Sequence, residues 1–300
     1  MTVGVVMMAY GTPASADEVL DYYTHIRRGR APSDEQLADL IRRYDEIGGL
    51  SPLAARTRDQ REAIAHALDR RVPGQYVVSV GNKHASPFIE DAVEFLQHGG
   101  CDEIVGLVMA PHHSEASVGE YHERAAAVAD VPSLPIDRWY DLPEFVEHQA
   151  STLREVLGHV GHDATVRFTA HSLPLRSLVG DHYVDELRQG ATEIATVAGV
   201  DDHRWDLGWQ SAGRTQEEWA GPDILDELRS LAADGVKRVV VVPHGFVADH
   251  LEVLYDLDVD AAKLADELGI AYGRTQVVNS DPHVMSALAD RVIAIATRGG

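Results

Sequence analysis

Five of the sixteen histidines, His84, His112, His113, His171 and His244, stand just where an apolar, β-branched run ends. An imidazole changes charge near neutral pH, so it can take up a proton or bind a borderline metal such as iron or zinc. In parallel α/β sheets ligands bind beyond the carboxyl ends of the strands, which predicts that these five rings gather around one crevice. The densest segment runs from Pro243 to Asp256 and contains His250, Glu252 and Asp256. If it is helical from about Asp249, Glu252, Asp256 and Asp260 fall at i, i+4 and i+8 along one face. Like charges at that spacing repel. The row reads either as a solvated acidic face or as a carboxylate ladder that holds or passes a divalent cation.

Missing motifs narrow the chemistry. No Gly-x-Gly-x-x-Gly follows the first strand and no phosphate-binding loop is present, which leaves dinucleotide and nucleoside-triphosphate chemistry unsupported. There is no Gly-x-Ser-x-Gly nucleophile elbow. The single cysteine, Cys101, allows neither an intrachain disulfide nor an iron–sulfur cluster. No His-Glu-x-x-His pair signals a permanent zinc site. Histidine and carboxylate without a closed ligand set suit a metal that is handled transiently. Forty-eight acidic against 26 basic residues give a net charge of −22, with three lysines in all (Lys83, Lys237, Lys263). Nucleic acid needs a basic face and is not an expected partner. The surplus of carboxylates is expected as an adaptation to a salty interior, where repulsion is screened. No apolar run approaches the ~18 residues that span a bilayer. Met1 to Tyr10 lacks a basic leader and reads as a buried strand, so the expected location is the cytoplasm.

The elements that must position these groups alternate between strand and helix, which predicts an α/β fold of mostly parallel sheets. Strands are expected at 3–9, 76–82, 103–109, 134–139, 164–170, 204–209, 237–242 and 274–278. Ser33 and Gln36 form a capping box opening a helix over 34–47, and a second helix follows from Ser51 to about Arg71. A boundary near 141–143 divides the chain into 1–142 and 143–300, with the last helix free to pack back on the first half. His84-x-x-Pro87 and Pro111-His112 in one half are echoed by His171-x-x-Pro174 and Pro243-His244 in the other. The echo is either chance or the trace of a duplication.

Six stretches carry a resemblance: Met8-Ala9-Tyr10-Gly11-Thr12-Pro13, Tyr22 through Arg30, Ile47 through Leu53, Ala170-His171-Ser172-Leu173-Pro174, Gly208-Trp209-Gln210-Ser211, and Gly245 through Asp256. In this order, over essentially the whole chain, they resemble the ferrochelatases, which insert iron(II) into a porphyrin in haem synthesis. The likeness is greatest to the bacterial enzymes that use coproporphyrin III. It implies two similar Rossmann-like halves, each a mostly parallel sheet flanked by helices, with a porphyrin cleft between them. It also implies a monomer without stable membrane association, with porphyrin and ferrous iron as substrates and no permanent cofactor.

Carried over by position, the resemblance makes His171 the metal ligand and proton acceptor, with Glu252 its acidic partner. Tyr10 becomes an axial ligand to the product iron, and Arg27, Arg43, Tyr44, Ser51 and Tyr121 hold the porphyrin. Asp256 and Asp260 form an outer acidic row. Two positions depart from the family pattern. His244 replaces a small apolar residue, which allows an additional ligand there, and Thr215 to Trp219 lacks the usual prolines. Other readings are a protoporphyrin IX ferrochelatase, a sirohydrochlorin chelatase for cobalt or iron on a related fold, and a non-catalytic porphyrin or haem carrier. The Tyr22–Arg30 and Gly245–Asp256 stretches speak against the sirohydrochlorin enzyme. A carrier would have no need of the acidic ladder.

Overall fold

A computed structural model describes residues 2–213 and 215–297 of the chain. It contains eight strands: β1 (Val3–Ala9), β2 (Tyr76–Asn82), β3 (Glu103–Val108), β4 (Ser133–Ile136), β5 (Thr165–His171), β6 (Trp205–Gln210), β7 (Arg238–Val242) and β8 (Ala271–Arg274). They form two four-stranded parallel sheets, ordered β2-β1-β3-β4 and β6-β5-β7-β8. The helices are α1 (Val19–Ile26), α2 (Asp34–Glu46), α3 (Leu53–Arg71), α4 (Ile89–His98), α5 (Glu120–Ala127), α6 (Pro143–Val160), α7 (Tyr183–Ala198), α8 (Ile224–Ala233), α9 (Leu251–Val253), α10 (Ala262–Leu268) and α11 (Pro282–Ala296). No described helix is long and apolar enough to cross a membrane.

Two compact units result. The first comprises 1–110, 116–139 and 279–300, and the second 111–115 and 140–278. Inner strands buried on both faces require unbroken apolar runs, as Val3–Ala9 and Val239–Val242 show. In the first unit Ser33 accepts from the Gln36 amide and Gln36 returns the bond to Ser33, so the capping box forms as read. Helix α11 starts at the cap Asp281, whose carboxylate accepts from His283 and Val284. It packs along α3, where Arg71 grips Asp290 and Ser286. In the second unit α6 and α7 cover one face of the sheet around Leu153, Phe168 and Ile194. Helices α8 and α10 cover the other around Leu228, Val241 and Leu257.

Three expectations from the sequence require correction. The last strand lies at Ala271–Arg274 rather than 274–278, because Val277 leaves the ladder to pack with Phe246 and Val253. The acidic segment is not α-helical from Asp249. His250 is the N-terminal cap, α9 lasts three residues, and Leu254–Ala261 is wound as a π-helix. Hydrogen bonds from i to i+5 widen the turn to slightly more than four residues, so positions four apart still stack, and Asp256 lies near enough for its charge to act on His171. The echoed motifs are equivalent in part. Pro111-His112 and Pro243-His244 follow the matching strands β3 and β7. His84, however, follows the edge strand β2, whereas His171 ends the inner strand β5. The position matching His171 in the first sheet is Ala9, next to Tyr10.

Candidate active site

His171 is the last residue of β5, which lies between β6 and β7. Its Nδ1 donates to the Ser172 carbonyl, since a carbonyl can only accept. That leaves Nε2 directed at Glu252, whose Oε1 is 3.6 Å away. Both side chains keep about a third of their surface open, at 37% exposure each. Glu252 also faces His250, whose Nε2 stands 3.6 Å from Oε2 and whose Nδ1 donates to the Ala248 carbonyl. One carboxylate is thus flanked by two imidazoles.

Local chain geometry makes this pair. After β7 the chain turns sharply, and the Gly245 amide donates to the Thr169 carbonyl on β5. A Cβ at Gly245 would lie 2.6 Å from Ala170 Cβ and 2.9 Å from its Cα. Only glycine lets the 245–252 segment come this close to the strand that ends in His171. The Thr215–Trp219 stretch is pinned without prolines of its own: the Ala220 amide donates to the Leu173 carbonyl, and Trp219 Nε1 donates to Thr215 Oγ1.

The electrostatics follow from the contact. Burial by itself opposes charge on His171, but the Glu252 and Asp256 charges and the Ser172 carbonyl outweigh it and hold the imidazole up to about 9. Burial pushes Glu252 upward, and His171 and His250 more than reverse that, holding its carboxyl well below the ordinary carboxylate range. At neutral pH the pair rests as imidazolium and carboxylate. An imidazole already neutral and waiting, the form expected of a proton acceptor, is not the resting form here. Asp256 lies on the π-helix and accepts from Ser211 Oγ. Among the described residues no three His, Cys, Asp or Glu side chains converge into a ready-made metal cage.

The strand-end histidines of the second unit do not converge on one crevice. His112 and His244 are wholly interior to the second unit, their rings edge to face with centroids 5.0 Å apart. His244 Nε2 donates to the Leu187 carbonyl at 3.1 Å, and His112 stacks on Tyr140. Burial pushes His244 down to about 4 and His112 well below its ordinary value. His244 is therefore a core residue, not an additional ligand beside His171. The His113 amide donates to Glu186, and its ring faces Glu115.

The remaining candidates belong to the first unit. Tyr10 follows β1 and is 42% exposed, its ring centroid 4.6 Å from that of His84. His84 meets His25 through Nδ1 atoms 3.0 Å apart, and burial with the neighbouring Lys83 presses it down to about 3. Arg27 donates to the Arg30 carbonyl and lies over the Tyr23 ring. Arg43 pairs with Asp39 one turn earlier on α2. Tyr44, Ser51 and Tyr121 are buried. Ser51 Oγ accepts from the Leu53 amide at the start of α3, and Tyr121 sits in the core of the first unit beneath the Lys83 ammonium. The sequence places His250 and Gln210 inside marked stretches but gives neither a role of its own. The alternation His250-x-Glu252 was a visible signal for the first, whereas only the fold reveals the second.

The ferrochelatase family profile matches residues 2–295. This chain belongs to the ferrochelatase family. It is 42% identical over 301 residues to the coproporphyrin III ferrochelatase of Anoxybacillus flavithermus, spanning 97% of this chain and 95% of that one. Its identity to the enzyme of the same name from Geobacillus kaustophilus is 43%, again over 97% and 95% of the two chains. The Geobacillus thermodenitrificans enzyme is 42% identical, over 100% of this chain and 98% of its own. Among solved structures, SirB from Bacillus subtilis with Fe3+ superposes with a TM-score of 0.60 at 12% identity, over 100% and 97% of the two chains. CbiX, described as the terminal enzyme of sirohaem biosynthesis in denitrifying bacteria, gives 0.53 at 14% identity over 98% and 99%. Those two likenesses establish a chelatase-type fold. As a ferrochelatase, the chain is an enzyme whose substrates are ferrous iron and a porphyrin.

Proposed function

We propose that this ferrochelatase inserts iron(II) into coproporphyrin III, with His171 and Glu252 as the groups that meet the metal and the pyrrole protons. The observation that carries the roles is the His171–Glu252 pair at the end of β5. The near-full-length likeness to enzymes named coproporphyrin III ferrochelatase supports the substrate.

Insertion replaces two pyrrole N–H bonds with bonds to iron and releases two protons. The resting pair already holds one proton on His171. An arriving dication competes for Nε2, the atom that the Ser172 carbonyl leaves outward, and displaces that proton to solvent, which the part-exposed ring reaches. Glu252, kept ionised by its two imidazoles, then offers a carboxylate to a pyrrole N–H. Asp256 and Asp260 are the onward acceptors of the outer acidic row. Arg27 and Arg43 supply guanidinium forks for propionates. Tyr10, exposed at the end of β1, is the ligand to the product iron. Tyr44, Ser51 and Tyr121 are buried, so their part is to fix the segments that carry Arg43, α3 and Lys83.

Coproporphyrin III carries four propionates, whereas protoporphyrin IX carries two propionates and two vinyls. Donors built for a carboxylate are left unpaired by a vinyl, at about 1–3 kcal/mol each. One or two such donors give a preference of tens- to thousands-fold. Anaerobic assays with iron(II) should show far faster insertion into coproporphyrin III, with Arg43→Leu weakening that substrate most. Equal or better activity with protoporphyrin IX would overturn the substrate while leaving a ferrochelatase.

A further inference from the structure

Gln210 closes β6 and lies directly opposite His171 in the parallel ladder. Its carbonyl accepts the Ser172 amide at 2.8 Å, which ties it to the strand that presents His171. Its side chain turns the other way, and Nε2 donates to the main-chain carbonyl of Glu252 at 3.2 Å. A carbonyl only accepts, so the amide must present its NH2 group there. One residue is thus bonded to the neighbour of His171 in the chain and to Glu252 itself.

The side chain is fully buried, and its Oε1 has no partner among the described residues. A buried amide with one half unpaired is a poor choice for packing alone. The next residue, Ser211, takes a left-handed backbone (φ +60°) and donates from Oγ to Asp256. Two successive residues at the end of β6 therefore fasten the start of α9 and the π-helix after it. Both bonds point at the acidic segment.

We propose that Gln210, with Ser211, is a positioning latch that sets the separation of His171 and Glu252 and so tunes capture of iron(II). Neither residue meets the metal; each acts through the group it holds. The metal-capture part rests on the roles proposed for His171 and Glu252, whereas the geometric part does not.

The test compares wild type with Gln210→Met, which keeps volume and loses the donor, and with the milder Ser211→Ala. Steady-state insertion is measured against iron(II) and against coproporphyrin III, beside thermal melting. A displacement near 1 Å in a working pair costs up to ~100-fold. Gln210→Met should accordingly raise KM for iron(II) about tenfold or more and lower kcat, with KM for coproporphyrin III within about twofold of wild type. Ser211→Ala should move the same constants by a smaller factor. A purely structural role would lower the melting temperature and the active fraction and leave both KM values unchanged, and that result overturns the latch.

A crystal structure of each variant reads the same question without activity. A His171–Glu252 separation wider than in wild type supports the latch, and an unchanged one overturns it. Should wild type insert no iron at all, the assay refutes the functional reading, and the two crystal structures still decide the latch.

Discussion

His171 and Glu252 were readable because each closes or follows a buried run and lies in a stretch shared with a known family. Their protonation was not, since it depends on an approach of 3.6 Å that no spacing reveals. Glu252 is what holds His171 up to about 9. Glu252→Gln removes that charge, and the ring should titrate much closer to the ordinary imidazole value of ~6.5. The imidazole would then be neutral at pH 7.5, where in wild type it is charged. NMR titration of the ring in the metal-free protein checks this, and an unchanged midpoint would contradict the pairing. Insertion by Glu252→Gln should nevertheless fall severely, because an amide accepts no pyrrole proton. Its residual rate should reach a plateau at lower pH than wild type. His171→Ala should abolish insertion while coproporphyrin still binds, measured by porphyrin fluorescence. Near-normal turnover by both variants at saturating iron would remove the assignment.

Elements with both faces buried were the most legible, because an unbroken apolar run at a parallel-sheet centre has few other uses. Seven of the eight strands lie within a few residues of their expected places. β8 does not, since its own residues are partly exposed and the apolar pair Val277–Val278 packs outside the ladder. The π-helix was invisible because an i, i+4 acidic pattern looks the same whichever way the helix is wound. The histidines that end β3 and β7 read as ligands and turned out to be core. That core placement has a pH consequence. His244 titrates at about 4 in the folded chain and near ~6.5 unfolded, so the unfolded state binds the extra proton between those values. The contribution of His244 is full above pH 6.5 and falls as pH drops toward 4, by about 1.4 kcal/mol per unit and about 3 kcal/mol in all for this one group. His112 acts in the same direction. His244→Val should cost stability at pH 7.5 through the smaller side chain, yet flatten the loss between pH 6.5 and 4. Urea midpoints across that range measure it, and equal slopes in variant and wild type would refute the buried neutral pair.

The whole molecule adds a term that no single contact contains. A net charge of −22 on 300 residues raises the energy of the compact state, because the carboxylates are held closer together than in the unfolded chain. Several arginines are already engaged with neighbouring acids, as in Arg71–Asp290, Arg124–Glu90 and Arg274–Asp258. Ion pairs at the surface contribute about 0–1 kcal/mol each, and the few partly buried ones here cannot offset a surplus of this size. Screening can. The Debye length falls from about 10 Å at 0.1 M salt to about 3 Å at 1 M, so repulsion between carboxylates on different elements is largely gone before molar salt is reached. The melting temperature should therefore rise steeply as potassium chloride increases from low levels to about 0.5 M and flatten beyond it. Exclusion of a salting-out ion from the surface would instead give a rise that continues through the molar range. Comparing potassium chloride with potassium sulfate at equal ionic strength separates the two, since screening depends on ionic strength alone. A melting temperature that is flat or falls in potassium chloride would show that the acidic surface is not a salt adaptation.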